Sequence, residues 1–587
     1  MSATTNQFSL PGGASKKRFP AVRTVGAAKA LALLLLLALP AVVQAQFLFV
    51  TNNDNTITIT GYTGPGGDVA IPSSTNGLPV TTIRSSAFYH CTSLISVTIP
   101  DSVTSVPSSA FRYCASMTSV TIGTNVASIG DYAFSSCDSL TGITIPNNAT
   151  NIGFAAFEDC TSLTSVSIGT GVISIADWAF ADCASLAIVT LPKSVVTIGV
   201  HALAQCSSLG AITVDPLNTS YTSADGVLFN KSQTKLVRCP GGKAGSYSVP
   251  TNVSSIGDSA FYFCTSLTNV TIVNGVTAIE DNAFSYCTGL TSVTISDSIN
   301  TIAHGAFNWC SSLTSVTIPN SVISVGSYAF CDCFNLTAVT IGSSVTSIGD
   351  YAFASCWSLL NATIPQYVTT IGNNAFSACS GLRGISVNAL NSSFSGVDGV
   401  LFNKTQTTLI QYPGGKAGAY TIPNTVTNIG NHAFDSCSTL SSITIPNSVT
   451  TIGDYAFEYC TSLNGVYFQG NAPTLGSSVF SGDINATAYY LPGTTGWSQF
   501  SAKTGLPTVL WNPQVQTGDG SFGVRTNQFG FTITGTTDLV IVVDAFTNLA
   551  SHTWSPVSTN TLTSGSSYFS DPQWTNYPAR FYRLRSP

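Results

Sequence analysis

The most regular chemical feature of this 587-residue chain is its cysteines, because fourteen of the sixteen recur at a fixed spacing. They lie 23 residues apart within three blocks, and gaps of 58 residues separate the blocks. This cysteine column comprises Cys91, Cys114, Cys137, Cys160, Cys183, Cys206, Cys264, Cys287, Cys310, Cys333, Cys356, Cys379, Cys437 and Cys460. Thiols can bind metal ions, form disulfides or pack as small apolar groups. Repetition at a short fixed period predicts a solenoid in which each repeat covers the next.

The geometry of a solenoid decides among these three roles for the thiols. Equivalent residues of stacked strands lie about 4.8 Å apart and point in parallel, whereas a disulfide needs side chains that face each other. Four ligands must converge around zinc, and a straight column does not converge. The sequence therefore predicts buried free thiols, with no metal site and no cofactor. Cys239 and Cys331 fall outside the column, and neither has a predicted partner.

Each repeat follows the pattern Ile-Gly-Asp-x-Ala-Phe-x-x-Cys-x-x-Leu-x-x-Val-x-Ile-Pro, and residues 129–150 come close to it. Phe stands three residues before the cysteine in 13 of 14 copies, with Leu203 as the exception. Leu stands three residues after it in 13 of 14, with Met117 as the exception. This spacing predicts a short helical turn that directs Ala, Phe and Cys inward. A strand with alternate residues buried, such as Val97 and Ile99, then follows.

A polar column six residues before the cysteine offers a second candidate chemistry. A row of carboxylates could serve metal binding or acid-base catalysis, whereas a helix N-cap needs only a side-chain oxygen. Ser and Asn replace Asp freely in this column, which a cap tolerates and a catalytic acid does not. We therefore predict capping by Asp131, Asp177, Asp258, Asp281, Asp350 and Asp454, and by Ser85, Ser108, Ser327, Asn373 and Asn431.

The complete repeat, including Ala-Phe-x-x-Cys-x-x-Leu, resembles the leucine-rich repeats of the bacterial surface antigen A (BspA-like) type over roughly residues 47–511. The resemblance implies an α/β fold: a right-handed leucine-rich-repeat solenoid with a parallel sheet and short outer helical turns. We count about fourteen 23-residue repeats in it. The resemblance also implies a secreted or cell-surface protein that adheres to other molecules.

Two related inserts, near residues 215–250 and 388–423, interrupt the solenoid predicted for residues 84–468. The stretch from Asp225 to Lys231 returns 173 residues later as Asp398 to Lys404. Its Asp-Gly pairs predict a β-hairpin that protrudes from the stack in each insert. Residues 46–83 are expected to form an N-terminal β cap and residues 469–511 the C-terminal capping repeats. A linker over 512–521 then leads to a small C-terminal β module over 522–587.

The first 45 residues read as a signal peptide. A basic stretch precedes an apolar run from Ala30 to Val43, and Ala45 ends a small-residue cleavage site. The run is shorter than the roughly 20 residues of a membrane-spanning helix, so we expect secretion and no membrane span in the mature chain. Charged residues make up 8% of the chain and its formal net charge is -6. Nucleic-acid binding needs a basic face, and this composition offers none.

Threonine dominates the outward-facing strand position, which is a third regular column. Regular Thr arrays resemble those of β-solenoid antifreeze proteins, but the twist of a sheet works against the flat lattice match that ice requires. Hydroxyl pairing between neighbouring repeats is the simpler expectation. The column comprises Thr98, Thr121, Thr144, Ser167, Thr190, Thr213, Thr271, Thr294, Thr317, Thr340, Thr363, Ser386 and Thr444.

Aromatic residues of the outer turns form the candidate ligand-binding patch. Amphipathic rings clustered on a surface are typical of protein and glycan recognition, although lateral packing between neighbouring turns is an alternative role. The patch comprises Phe263, Tyr286, Trp309, Tyr262, Tyr328 and Tyr351.

Catalytic motifs are scarce, so we predict that the protein is not an enzyme. His90, His304 and His552 stand in unrelated positions, while His201 and His432 share a column many turns apart. No serine occupies a nucleophile-elbow motif. The predicted function is a secreted or cell-surface binding and adhesion scaffold that recognises an extracellular protein or glycan. The alternative is a structural or self-associating envelope protein without a specific ligand.

Overall fold

A computed structural model describes residues 46–537, 539–547, 553–577 and 579–585. The predicted signal peptide, residues 1–45, lies outside the described residues. The chain winds as a parallel β-solenoid, which confirms the predicted fold class. Each repeat contributes a longer strand, a two-residue strand and an outer turn that contains the cysteine.

The longer strands stack into parallel sheets in which neighbours are offset by one repeat, so that Val97 pairs with Val120. Their inner residues are Val, Ile and Ala and their outer residues are mainly Thr and Ser, as the alternation predicts. The hydroxyls of Thr190 and Thr213 lie 2.7 Å apart, so neighbouring repeats do pair through this column. These strands span Gly67–Ala70, Leu94–Thr98, Ser119–Thr121, Gly142–Thr144, Ser165–Ser167, Ile188–Leu191, Ala211–Val214, Gly245–Ser248, Leu267–Thr271, Ser292–Thr294, Ser315–Thr317, Ala338–Thr340, Asn361–Ile364, Gly384–Val387, Gly418–Thr421, Leu440–Ile445, Gly465–Phe468, Thr487–Tyr490 and Thr508–Leu510.

A second set of parallel sheets consists of the two-residue strands, which also pair in one-repeat register. They span Ser128–Ile129, Asn151–Ile152, Ser174–Ile175, Thr197–Ile198, Ser255–Ile256, Ala278–Ile279, Thr301–Ile302, Ser324–Val325, Ser347–Ile348, Thr370–Ile371, Asn428–Ile429, Thr451–Ile452 and Thr474–Leu475. Four strands close the N-terminal end, at Phe47–Thr51, Ile57–Tyr62, Ser74–Thr75 and Leu78–Ile83. The helix Trp497–Thr504 covers the last turns of the solenoid, where Trp497 and Phe500 are buried.

The outer turns are present where predicted, but none of those described is an α-helix. Each turn of the cysteine column except that of Cys206 places two residues in the left-handed region, such as Tyr132 with φ of 55° and Ser136 with φ of 56°. The Phe134 and Ser136 N–H groups donate to carbonyls of the next repeat at 2.8 and 2.7 Å, while the Ser135 N–H donates within its own turn. Half of the turn's donors thus bond between repeats, whereas a helix would bond all of them locally.

Six side chains of the polar column cap the next repeat and not their own turn, which corrects the prediction. Asp131 Oδ1 accepts the Phe154 N–H, 23 residues on, at 2.8 Å. A Cβ at Gly153 would lie 2.6 Å from the Gly130 carbonyl carbon, so glycine permits this close approach of the two backbones. The same bond recurs from Asp281 to His304, Asp350 to Asn373, Asn431 to Asp454 and Asp454 to Ser477.

Phenylalanines and cysteines form the centre of the core. Neighbouring Phe rings stack with centroids about 5 Å apart, as for Phe284 and Phe307 at 5.0 Å and 1°. Eleven of the fourteen column thiols donate to the Phe carbonyl of the preceding repeat, as Cys310 Sγ does to Phe284 O at 3.2 Å. All sixteen cysteines are free, fifteen are buried and Cys91 is half-buried. The thiols of the column are therefore buried, as predicted, except for the half-buried Cys91.

The two inserts are three-stranded and lie inside the stack, so the prediction that they protrude is wrong. In the first, the hairpin strand Val227–Asn230 is buried, and Leu228 and Phe229 belong to the cores on opposite sides of it. The hairpin therefore forms a wall between two solenoid segments and shields both from water. The insert strands span Tyr221–Ala224, Val227–Asn230, Lys235–Arg238, Phe394–Val397, Val400–Asn403 and Thr408–Gln411.

The C-terminal module consists of antiparallel strands and has its own small core. Its first strand, Gln514–Gln516, lies within the predicted linker 512–521 and pairs with Thr532–Thr534. Those residues therefore belong to the module. Its other elements span Gly523–Arg525, Gln528–Thr534, Val540–Phe546, Ser555–Thr561, Ser566–Asp571 and Phe581–Arg585, with a short 3-10 helix at Trp574–Asn576.

Candidate functional site

Three predicted patch residues form a continuous row of stacked rings on the outer turns. The Phe263 and Tyr286 rings lie 4.5 Å apart at 10°, and the Tyr286 and Trp309 rings lie 5.6 Å apart at 7°. Each residue directly precedes a buried cysteine, so the solenoid repeat sets their spacing. All three are half-buried.

Two further residues, which the sequence prediction missed, extend this row. The Phe334 ring meets Trp309 edge-on at 5.3 Å and 82°, and it stacks on Trp357 at 4.3 Å. Trp357 is 53% exposed and ends the row. We call Phe263, Tyr286, Trp309, Phe334 and Trp357 the aromatic row; four steps of about 4.8 Å give it a length of roughly 19 Å.

The other predicted patch residues divide between two places. Tyr262 flanks the aromatic row, with its ring 4.8 Å from that of Phe263 and 5.8 Å from that of Tyr286. Tyr328 and Tyr351 stack on each other at 4.8 Å as a separate pair. Within the described residues no ring contact joins that pair to the row.

The backbone of the outer turn sets the direction of these rings. Phe263, Tyr286 and Trp309 have φ values of 60°, 59° and 58°, a conformation that costs a non-glycine residue about 1–2 kcal/mol. Their N–H groups donate to carbonyls of the next repeat at 3.0, 2.8 and 2.9 Å. These bonds offset the strain, because they satisfy donors that would otherwise be unpaired on this face.

Stacking determines which part of each ring a partner can touch. The faces of Tyr286 are covered by its two neighbours, so that ring presents its edge and hydroxyl. The Phe334 ring is nearly perpendicular to the Trp309 ring, so the ring planes change direction there. Trp357 stacks on Phe334 and has no further ring beyond it in the row. The row therefore offers an apolar strip of ring edges that ends in one open indole.

An Asp-His-Ser arrangement also forms across the first insert. His201 Nδ1 lies 3.3 Å from Asp177 Oδ2, and its Nε2 lies 3.2 Å from Ser259 Oγ. Ser259 is fully buried, whereas the side chains of Asp177 and His201 are 38% and 24% exposed. A catalytic triad requires the reverse, with an accessible serine and a buried carboxylate. Since Ser259 Oγ also donates to Asp258 Oδ1 at 2.9 Å, these contacts connect the repeats that flank the insert.

Neither a cluster of metal ligands nor a bilayer-crossing helix occurs among the described residues. There, His, Cys, Asp and Glu side chains never converge in a group of three that could hold a metal ion. The same residues include no helix with the length and apolar character needed to cross a bilayer.

Comparisons with known structures found bacterial leucine-rich repeat proteins. The chain is 27% identical to a leucine-rich cell surface protein from Faecalibacterium prausnitzii, covering 73% of this chain and 94% of that one, with a TM-score of 0.37. It is 22% identical to a leucine-rich repeat protein from Eubacterium ventriosum, covering 61% and 98%, with a TM-score of 0.41. It is 18% identical to the pneumococcal vaccine antigen PcpA, covering 79% and 96%, with a TM-score of 0.39.

The search of curated proteins found no significant match. The family model for the BspA type leucine-rich repeat region, which comprises six copies, matches residues 81–210, 127–240, 241–317, 300–417 and 414–506. Together these matches run from residue 81 to residue 506 and contain the whole cysteine column. The chain therefore belongs to the BspA-type leucine-rich repeat family.

Proposed function

We propose that the protein is a non-enzymatic, secreted or surface-displayed scaffold that binds an extracellular protein or glycan through its aromatic row. The observation that carries this proposal is the continuity of the row, in which five rings contact one another in sequence. Tyr and Trp are enriched among the residues that dominate binding energy at interfaces. Stacking already restricts the rings, so binding costs less side-chain entropy than it would for free side chains.

The geometry of the row favours a protein over a glycan as its partner. Sugars pack against open ring faces, and within the row the face of Tyr286 is covered on both sides. Ring edges and a phenol hydroxyl suit the mixed apolar and polar surface of a protein. A glycan would find an open face mainly at Trp357, which is 53% exposed.

Burial supports the non-enzymatic part of the proposal, because Ser259 is the only serine in the Asp-His-Ser arrangement and it is fully buried. A fluorophosphonate probe, which reacts with activated serines, should therefore leave the protein unlabelled. Covalent labelling at Ser259 would contradict this. The N-terminal signal pattern and the family resemblance support secretion or surface display, and N-terminal sequencing of the exported protein tests cleavage after Ala45.

Adhesion to a panel of immobilised extracellular-matrix proteins and to a glycan array tests the binding role. Trp309→Ala and Trp357→Ala should each weaken binding to the recognised partner by about 30-fold, the effect typical of a central interface residue. Trp178→Ala is the matched control. Trp178 also lies on an outer turn with φ of 59°, but it stacks on His201 and not in the row.

Two results would contradict the proposal. Equal adhesion of the parent and both row variants would remove the aromatic row as the binding surface. Failure to bind any partner, together with ordered self-assembly in analytical ultracentrifugation, would favour the structural envelope protein instead.

A further inference from the structure

A cavity of about 410 Å³ lies where the last solenoid turns meet the C-terminal module. This volume falls in the range of about 300–1,000 Å³ that is typical of small-molecule sites. The module contributes Leu584 to its wall. Aromatic and amide side chains of the solenoid end supply most of the rest, namely Tyr467, Tyr489, Trp511, Asn424, Asn447 and Gln469.

The cavity occupies the place where the outward threonine column changes character. Tyr467 pairs in register with Thr444 of the preceding repeat, and Tyr489 continues the column with its ring stacked 4.8 Å from that of Tyr467 at 10°. A Cβ at position 465 would lie 2.6 Å from the Tyr467 ring, so Gly465 provides the space for it. The tyrosine pair therefore requires that Gly465, Tyr467 and Tyr489 all depart from the repeat pattern.

Two hydrogen-bond donors at this cavity have no acceptor among the described residues, and one of them, Trp511 Nε1, is buried. Tyr467 is only 6% exposed, and its hydroxyl has no hydrogen-bond partner among the described residues. Trp511 Nε1 is buried and likewise has no acceptor there. Buried polar groups are nearly always paired in folded proteins, so the unpaired Trp511 Nε1 indicates a polar occupant, and the Tyr467 hydroxyl is a second donor that remains available to it.

The rim adds amides that are also free. Asn424, Asn447 and Gln469 are exposed, and within the described residues their side-chain amides make no hydrogen bond. Arg585 is the only charged residue among those lining the cavity, and its Nε lies 2.9 Å from Asp544 Oδ2. The cavity is thus aromatic and polar, and its one charged group is ion-paired with Asp544, which also pairs with Arg583.

We propose that this cavity, here called the junction pocket, binds a neutral sugar unit of an oligosaccharide. The Tyr467 and Trp511 donors and the three amides match the hydroxyl groups of a sugar, which both accept and donate hydrogen bonds. The apolar surface of the aromatic rings matches its C–H groups. A phosphate or carboxylate ligand would have to compete with Asp544 for Arg585. This pocket lies apart from the aromatic row, so the inference does not depend on the adhesion proposal.

Binding of neutral trisaccharides to the whole chain tests this inference. The probes are cellotriose, maltotriose, mannotriose and tri-N-acetylchitotriose, measured by saturation-transfer NMR and isothermal titration calorimetry. At least one should bind, and Tyr467→Phe and Trp511→Phe should each weaken it about three- to tenfold, since each removes one donor. Tyr490→Phe is the matched control, because Tyr490 is adjacent in the strand but stacks on Trp497 away from the pocket.

The outcomes separate this pocket from the aromatic row. Trp309→Ala and Trp357→Ala should leave trisaccharide binding unchanged, and Trp511→Phe should leave adhesion to the row's partner unchanged. The inference is overturned if no trisaccharide binds at millimolar concentration. It is equally overturned if Tyr467→Phe and Trp511→Phe bind like the parent, or if the row variants alone abolish sugar binding.

Discussion

Alkaline pH should unfold the solenoid, because its buried thiols are stable only in the protonated form. Burial raises the pKa of twelve buried cysteines above their ordinary value of 9.0, for Cys160 to about 12. In the unfolded chain these thiols recover their ordinary pKa, so the unfolded state loses protons first as the pH rises. Their contribution to stability is therefore complete below about pH 9 and is lost above it. The twelve are Cys114, Cys137, Cys160, Cys183, Cys206, Cys239, Cys287, Cys310, Cys331, Cys333, Cys356 and Cys460.

The expected loss is large because the thiols act together. Each one lowers the free energy of unfolding by about 1.4 kcal/mol per pH unit above pH 9. A segment with six such thiols loses about 8 kcal/mol per pH unit, which is comparable to the whole stability of an ordinary domain. We therefore expect a folded protein at pH 8 and an unfolding transition between about pH 9.5 and 10.5.

Far-UV circular dichroism during a pH titration under reducing conditions measures this transition. The triple variant Cys287→Ala, Cys310→Ala, Cys333→Ala is the control. It should be less stable than the parent at pH 7, because the three substitutions leave cavities in the core. Above pH 9, however, its free energy of unfolding should fall by about 4 kcal/mol less per pH unit than that of the parent. Thiol labelling at pH 8 should modify Cys91 first, because it alone is half-buried. An equal pH dependence in parent and variant, or fast labelling of most thiols in the native protein, would refute the reasoning.

Substitutions at three positions test the other contacts that hold the repeats together, each by chemical denaturation. Phe307→Ala should lower the free energy of unfolding by about 3–5 kcal/mol, whereas Phe307→Leu should cost much less, because Leu203 fills the same column in another repeat. Arg238→Ala should cost about 3 kcal/mol or more, since the buried guanidinium donates to three backbone carbonyls. Arg238→Gln should cost less, because Gln411 stands at the equivalent place of the second insert. Asp350→Ala should lower the free energy of unfolding by about 1 kcal/mol, because it removes the acceptor for the Asn373 N–H of the next repeat. Asp350→Asn should retain most of that stability, because its amide oxygen can accept the same bond.

Periodicity explains why the core could be predicted from sequence while the outer turn could not. Phe and Cys make the same contacts in most repeats, so one repeat describes most of the core. The outer turn is different, because Phe and Cys three residues apart suit both a helix and a turn with left-handed residues. The direction of the Phe134 and Ser136 N–H groups, toward the next repeat, distinguishes the two, and residue spacing does not encode it.

The aromatic row was predicted only as far as the column before the cysteine extends. Phe263, Tyr286 and Trp309 share the position before the cysteine, but Asp332 occupies that position in the next repeat. Phe334, two residues later, takes over the contact from the other side of the cysteine. The column before the cysteine contains no aromatic residue at Asp332, and the row continues on the other flank of the cysteine. The whole row therefore becomes apparent only when both flanking positions are considered together.

In this solenoid, specific binding requires departures from the repeat. A column of identical residues presents the same surface at every step, so a ligand that binds at one register binds equally well at the next. The aromatic row breaks this equivalence because it begins and ends within the stack. The stacked pair of Tyr467 and Tyr489 breaks it where the threonine column ends. Both candidate sites thus occur where the sequence leaves its consensus while the backbone keeps its register, so side-chain chemistry changes without loss of the fold.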